Sequence, residues 1–282
     1  MPGWVTSCAT KRLDETVGGD ISETIDAFHR GRFHILQPKG RGHRAGMDAM
    51  LLASLVADDR ACRIADLGAG AGAAGFAVAA RLEKAQVTLY ERSPEMAEFA
   101  RRSLALPENA AFSGRIDVRE ADVTLRAKAR IEAGLPDGYF HHVIMNPPYN
   151  DAGDRRTPDA LKAEAHAMTE GLFEDWIRTA GAIMVPGGQL SLISRPQSVA
   201  EIIAACGGRF GGMEITLIHP RPGEDAVRML VTAIKGSRAK LSFRAPLVMH
   251  EADSHAFTPL VDDLNNGRTA YRRNVKAIRP GL

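Results

Sequence analysis

A glycine-rich turn between two apolar segments is the feature that most constrains the fold of this chain. A strand pattern at residues 64–67 runs into the turn Gly68-Ala69-Gly70-Ala71-Gly72, and an apolar helix pattern follows at residues 76–82. A second strand pattern covers residues 87–91. Two strands joined through a helix indicate a parallel βαβ unit, because a parallel pair needs a long crossover connection.

The same alternation continues through most of the chain and predicts an α/β fold. Two adjacent strand patterns near its end, at 214–219 and 229–234, are separated by too short a turn for a parallel crossover, so they form an antiparallel hairpin. The chain is therefore expected to form a doubly wound, mostly parallel seven-stranded sheet whose last strand is antiparallel and lies at the end of the sheet. The remaining strand patterns are 116–120, 143–145 and 189–194, with helices at 95–104, at 124–133 and through Trp176 to Ile183.

The strand and helix patterns of the sheet span residues 61–236, which we predict to be the catalytic domain, and further segments flank it on both sides. Residues 1–20 are polar and are predicted to be a mobile tail, and residues 21–60 are predicted to pack on the core. Within the latter, residues 32–36 read as a strand, and Asp48 reads as the N-cap of an apolar helix. Residues 237–282 form a C-terminal extension with a strand-like segment at 247–250.

Composition excludes several classes of protein. The 282 residues are 45% hydrophobic and 25% charged, which is typical of a soluble globular chain, and no apolar stretch is long enough for a bilayer span. Three separated cysteines, Cys8, Cys62 and Cys206, match neither a disulfide framework nor a zinc site. We therefore predict a cytoplasmic protein with no metal and no membrane partner. The net charge of +2 does not by itself indicate nucleic-acid binding.

Three carboxylates follow or end neighbouring strands of the predicted sheet. Asp66 precedes the glycine turn, Glu91 ends the second strand and Asp122 follows the third. The carboxyl ends of parallel strands share one edge, so these groups are expected to line a single ligand crevice. The turn alone is also compatible with NAD, since Gly68, Gly70 and Ala73 satisfy a G-x-G-x-x-A pattern with Glu91 at a suitable distance.

The sequence Asn146-Pro147-Pro148-Tyr149 directly follows the apolar strand at 143–145. Consecutive prolines fix φ and remove two backbone donors, which leaves a rigid corner rich in hydrogen-bond acceptors. Asn146 supplies a side-chain carbonyl, Pro147 a backbone carbonyl and Tyr149 a planar face. Together they suit a flat amine such as that of adenine. Asp66 could receive the amino group of a ligand, and combined with this corner it shifts the balance away from NAD.

These residues resemble the class I S-adenosylmethionine-dependent methyltransferases, which have a Rossmann-like fold. The narrower resemblance is to bacterial tRNA adenine-N6 methyltransferases that modify valine tRNA, and it rests on residues 31–38, 46–53 and 246–248 beside the corner. It implies that Asn146, Pro147 and Tyr149 are catalytic and that the cofactor is S-adenosylmethionine. The cofactor-binding residues would be Asp48, Asp66, Gly68, Gly70, Gly72, Glu91, Asp122 and Asn146.

The leading interpretation is an N-methyltransferase acting on the N6 amine of an adenine in tRNA. A protein glutamine-N5 methyltransferase or a small-molecule methyltransferase is the alternative, because the corner also suits a side-chain amide. An RNA-binding protein with a vestigial cofactor pocket is a third reading. Basic clusters favour a tRNA partner, although such runs are also typical of solvated surfaces. They are residues 30–44, Arg155-Arg156 and residues 268–279.

Overall fold

The structure of the protein is a computed structural model that describes residues 23–39, 45–58, 60–148 and 171–274. A β-hairpin precedes the core. Helices separate the first six core strands, the seventh follows directly as the second strand of a hairpin, and two short strands come near the end. The strands are β1 Glu23–Phe28, β2 Phe33–Pro38, β3 Cys62–Leu67, β4 Ala85–Glu91, β5 Ile116–Glu120, β6 Phe140–Met145, β7 Met184–Ser194, β8 Phe210–His219, β9 Arg228–Lys235, β10 Ser242–Phe243 and β11 Leu247–Val248.

Eight α-helices lie in the described ranges. None of them is both long enough and apolar enough to span a bilayer. They are α1 Met47–Ser54, α2 Ala73–Arg81, α3 Pro94–Leu104, α4 Ala110–Ser113, α5 Ala127–Glu132, α6 Leu172–Ile183, α7 Val199–Cys206 and α8 Pro259–Asn265.

The main sheet has the order β10-β8-β9-β7-β6-β3-β4-β5, and β11 also pairs with β8. Strands β5, β4, β3, β6 and β7 are parallel, as the sequence predicted. The predicted antiparallel hairpin of β8 and β9 is confirmed, but the expectation that β9 ends the sheet is wrong. It lies inside the sheet, antiparallel to β7 on one side and to β8 on the other. The two-residue strands β10 and β11 add to the seven strands expected.

Two apolar layers cover the faces of the sheet. Helices α1, α2 and α3 pack with the β1–β2 hairpin on one face. Helices α6 and α7 pack on the other face, through residues such as Trp176, Ile177 and Ile202. Because both faces are covered, five of the six residues are buried in each of the central strands β3 and β6.

The segment before β3 packs on the core through aromatic contacts. Phe33 is fully buried and stacks on Phe28 at 5.3 Å, and its ring lies 6.5 Å from that of Phe76 in α2. Strand β1, which pairs with β2 from Glu23 to Phe28, was not predicted, because its mixed polar and apolar residues lack a clear strand pattern. The hairpin therefore packs on α2 and α3, the helices that connect β3, β4 and β5.

The predicted N-cap role of Asp48 is wrong. Gly46 is the N-cap of α1, and Asp48 lies within its first turn. The side chain of Asp48 accepts a hydrogen bond from Nε of Arg228, at the start of β9, with a length of 2.8 Å. The ion pair connects α1 with the antiparallel strand.

Candidate active site

Strand register brings the predicted site residues to one edge of the sheet. Leu67 pairs with Met145 on one side and with Tyr90 on the other. The next residues, Gly68, Asn146 and Glu91, therefore leave three neighbouring strands at the same level. We call this the carboxyl edge, the edge at which β3, β4, β5 and β6 end.

Asp66 lies beneath the glycine turn and is almost completely buried, at 2% exposure. Its Oδ2 accepts a hydrogen bond of 2.9 Å from the backbone N–H of Gly75 in α2. Burial raises the pKa of the Asp66 carboxyl to about 7, and the charge of Glu91 adds to this effect while the Gly75 hydrogen bond opposes it. No Lys or Arg is among the groups that set this pKa. A ligand ammonium group is the type of partner that would stabilise the charged carboxylate.

Glu91 organises the glycine turn from the end of β4. Its Oε2 accepts a hydrogen bond of 2.8 Å from the N–H of Gly70, and its Oε1 accepts one of the same length from the N–H of Ser93. Each carboxylate oxygen keeps a second lone pair, so these bonds leave acceptor capacity for a diol. The side chain is half-buried, which leaves it accessible at the crevice.

Asp122 follows β5 and completes the row of carboxylates. Its Oδ1 accepts hydrogen bonds from both the backbone N–H and the hydroxyl of Thr124, at 2.8 and 2.7 Å. This local turn orients the carboxylate without using its second oxygen. Asp122 is therefore a pre-oriented acceptor, and the two strands β3 and β4 lie between its strand and that of Asn146.

Asn146 and Pro147 follow β6 next to the glycine turn. The Asn146 side chain is half-buried, Pro147 is buried and Pro148 is exposed. The predicted residue Tyr149 lies outside the described residues. The structure thus brings Asn146 close to Gly68, whereas Asp48 lies farther along the edge, beside Arg228 at the start of β9.

Sequence reasoning placed Trp176 only in a predicted helix and missed it as a residue of this site. Its indole is 7% exposed and lies so close to the glycine turn that a Cβ added at Gly68 would be 2.4 Å from Cη2. Trp176 therefore covers the turn from the α6 side. Its spacing in the helix gives no signal of this contact, because the same spacing is typical of any core residue.

No group of three or more His, Cys, Asp or Glu side chains that could hold a metal ion occurs in the described part of the chain. The acids of the carboxyl edge are separated along neighbouring strands and are engaged with backbone amides instead.

Comparisons with known proteins identify the class of enzyme. The family model for the methyltransferase small domain matches residues 44–215, which is more than half of the chain and contains every site residue described above. The chain belongs to the methyltransferase small domain family. The described site therefore lies inside a methyltransferase domain, and the chain is an S-adenosylmethionine-dependent methyltransferase, as its sequence predicted.

Three relatives show how far this similarity reaches. A protein from Pedobacter heparinus named tRNA1(Val) (adenine(37)-N6)-methyltransferase is 28% identical over 208 residues, which are 73% of this chain and 83% of the relative. A release factor glutamine methyltransferase from Deinococcus radiodurans is 34% identical over 50% of this chain and 49% of its own length. The crystal structure of a predicted O-methyltransferase from Agrobacterium tumefaciens, Atu636, is 81% identical with a TM-score of 0.72, over 81% of this chain and 100% of that chain.

The buried Asp66 carboxyl gives this methyltransferase a pH-dependent stability. Its pKa is higher in the folded chain, at about 7, than its ordinary value of 3.8. The folded state therefore binds the proton more tightly, and this group's contribution to the free energy of unfolding falls as pH rises from about 4 to 7. We expect the free energy of unfolding of Asp66→Asn to rise relative to wild type across this range. The difference should reach on the order of 4 kcal/mol above pH 7, where the whole pKa shift of Asp66 counts against the folded wild type.

The measurement is urea unfolding of cofactor-free protein at pH 4.5, 6 and 8. Burial lowers the pKa of His29 to about 4, so the contribution of His29 to the free energy of unfolding rises with pH. Both proteins contain His29, so the difference between wild type and Asp66→Asn isolates the effect of Asp66. The matched control is Asp122→Asn, which makes the same change in another carboxylate at the carboxyl edge. A difference that is constant with pH for Asp66→Asn would contradict the expected titration.

Proposed function

We propose that this enzyme methylates the N6 amine of an adenine in tRNA. The observation that carries the proposal is the position of the Asn146-Pro147 corner. The corner follows β6 and lies next to the glycine turn, which follows the neighbouring strand β3. The acceptor group and the methyl donor would therefore meet at one point of the carboxyl edge. The name and coverage of the Pedobacter relative support the same substrate class.

The residues of the carboxyl edge fit S-adenosylmethionine. Asp66 would receive the ammonium group of its methionine part, since this buried carboxyl has no cationic partner among the groups that set its pKa. Glu91 would accept hydrogen bonds from the ribose hydroxyls, and Asp122 from the adenine amine. Gly68, Gly70 and Gly72 leave the backbone open for close approach of the ligand.

The corner provides the chemistry that the acceptor needs. An adenine amine is a weak nucleophile, because its lone pair is delocalised into the ring. When Asn146 Oδ1 and the Pro147 carbonyl each accept one N6–H, the nitrogen is drawn toward tetrahedral geometry, an effect that is stronger in the transition state than in the ground state. The cofactor supplies an electrophilic methyl group on sulfur. Alignment of two reactants contributes on the order of 7–11 kcal/mol in favourable cases, and the amine loses its proton after transfer.

A glutamine side chain is the second candidate acceptor, because its amide is also a planar NH₂ group with two hydrogens. The Deinococcus relative favours it, but the chain spans only about half the length of that relative. The Agrobacterium structure has O-methyltransferase in its title. A hydroxyl has only one hydrogen and would use only one of the two acceptors at the corner, so the corner favours an amine or an amide.

The test is methyl transfer from radiolabelled S-adenosylmethionine to three separate acceptors. These are an unmodified valine tRNA transcript, a release factor and a small-molecule extract, and labelled RNA is digested to nucleosides. We expect label in N6-methyladenosine, and its loss when adenine 37 of the transcript is replaced by guanine. Label on the release factor or on small molecules would overturn the substrate and keep the cofactor assignment, and the absence of label on all three acceptors would also overturn the proposed substrate.

A further inference from the structure

A basic segment with exposed apolar side chains lies at the outer edge of the sheet, beyond β8. Residues 235–250 contain no Asp or Glu. Within this run, Arg238 and Lys240 are exposed and Leu241 is 38% exposed. Phe243, in the edge strand β10, is 66% exposed. We call Arg238, Lys240, Leu241 and Phe243 the edge-strand patch.

Two other arginines near the patch, Arg244 and Arg273, form ion pairs within the fold, so we do not count them as part of the patch. Glu214 in β8 is 4% exposed and accepts a hydrogen bond of 3.0 Å from Nη1 of Arg244. Arg273 lies 3.6 Å from the same carboxylate and bonds to the hydroxyl of Thr232. These contacts hold Arg244, which directly follows Phe243, and the C-terminal segment at Arg273 to the sheet. The patch itself is therefore presented on a fixed support.

The patch lies at the same level of the sheet as the candidate active site. Phe243 pairs with Ile215, which pairs with Val231, and through Leu192 this row reaches Met145, the residue before Asn146. Four steps between strands at about 4.8 Å each place Phe243 roughly 19 Å from the corner. That distance corresponds to on the order of six nucleotides of a stacked strand.

The exposed ring of Phe243 extends the apolar face that α6 and α7 cover. Residues paired across neighbouring strands point to the same face, and Ile215, the partner of Phe243, is buried in that layer. A large apolar side chain exposed on an edge strand is normally avoided, so its position among positive charges points to a ligand with both flat rings and negative charge. Single-stranded RNA combines these two properties.

We propose that the edge-strand patch is a second contact surface for the RNA substrate, on which Phe243 stacks an unpaired base and Arg238 and Lys240 bind phosphates. This inference rests on the proposed function and adds the part of the RNA that lies away from the methylated base. It also explains how a chain with a net charge of only +2 would hold a polyanion, since the charge is concentrated locally.

The test measures binding of an unmodified valine tRNA transcript to the full chain by fluorescence anisotropy over a range of salt concentrations. We expect Phe243→Ala to weaken binding about tenfold. The double variant R238E/K240E should weaken it further and reduce the slope of log K against log salt by about 1.5, since each lost phosphate contact removes about 0.7 to 0.9. The Kd for S-adenosylhomocysteine should stay at the wild-type value in all variants.

A matched control makes the same change in charge elsewhere. The double variant K84E/K128E reverses two exposed lysines far from the patch, on the opposite half of the sheet. Equal loss of RNA affinity in the two double variants would overturn the patch, as would wild-type affinity in Phe243→Ala and R238E/K240E together. If these patch variants bind RNA normally but convert a dimer into a monomer in ultracentrifugation, the patch is a contact between copies of this chain.

Failure of the proposed function has a different signature. If wild type binds and methylates RNA but the patch variants do so equally well, only this inference fails. If wild type neither binds the transcript nor methylates it, while label reaches a protein or a small molecule, the proposed function fails and the patch loses its assigned ligand.

Discussion

Replacing Asn146 with Ala is expected to lower kcat for methyl transfer by about 10²–10³-fold. This is the usual loss when one preorganised hydrogen-bonding group that acts in the transition state is removed. The cofactor is held largely by Asp66 and Glu91 in our proposal, so the Kd for S-adenosylhomocysteine should change only a few-fold. Single-turnover transfer to the tRNA transcript and calorimetric binding of S-adenosylhomocysteine provide the two measurements.

The matched control for this variant is Asn265→Ala, which removes an asparagine side chain at the end of α8, a helix that supplies none of the proposed site residues. It should leave both measured quantities at the wild-type value. If Asn146→Ala instead raised KM for RNA with kcat unchanged, Asn146 would bind the substrate equally in the ground and transition states. In that case the corner would position the base without activating its amine.

The second large effect is expected for Gly68→Ala, which should lower the free energy of unfolding by about 2–5 kcal/mol. Gly68 has φ of +68°, a left-handed conformation that costs a residue with a side chain roughly 1–2 kcal/mol. The new Cβ would also lie 2.4 Å from Cη2 of Trp176, and overpacking of this kind costs typically ~1–3 kcal/mol. Urea unfolding of the cofactor-free chain measures the sum.

Gly70→Ala separates these two costs. Gly70 also has a positive φ, +56°, but a Cβ there would lie 3.9 Å from its nearest neighbour, Cε of Met96. Both variants share the backbone strain and the change in unfolded-state entropy, so the difference between them measures the contact with Trp176. Adding Trp176→Leu to Gly68→Ala should recover part of the loss. If Gly68→Ala and Gly70→Ala lowered the free energy of unfolding equally, and Trp176→Leu restored none of it, the Trp176 side chain would move away from the new Cβ at no energetic cost.

Local sequence patterns were sufficient to predict most of the fold. Strand β5 has the predicted bounds, and the glycine turn, α2 and β4 form the predicted βαβ unit. This succeeds because the central strands β3 and β6 are buried on both faces and the β3–β4 crossover contains its own helix. The family match agrees with the methyltransferase fold that the glycine turn and the corner indicated together.

Long-range contacts account for what the sequence did not reveal. The ion pair of Asp48 joins residues 180 positions apart, and Trp176 meets Gly68 only because α6 folds back over the turn. Likewise, the sequence of residues 235–250 did not indicate that these residues form one exposed surface. That follows only from the pairing of β10 with β8, which places Phe243 at the edge of the sheet. Periodicity reports the neighbours of a residue along the chain, whereas these contacts depend on the order of strands in the sheet.

The interior position of β9 has a consequence for how the chain is assembled during synthesis. Strands β3 to β7 can pair in the order in which they leave the ribosome, but β8 has no place in the sheet until β9 has formed between it and β7. The open edge of β7 and the apolar residues of β8 stay unprotected until residue 235 has been translated. Chaperone dependence and aggregation of nascent chains should therefore peak when translation has passed β8 but not yet completed β9.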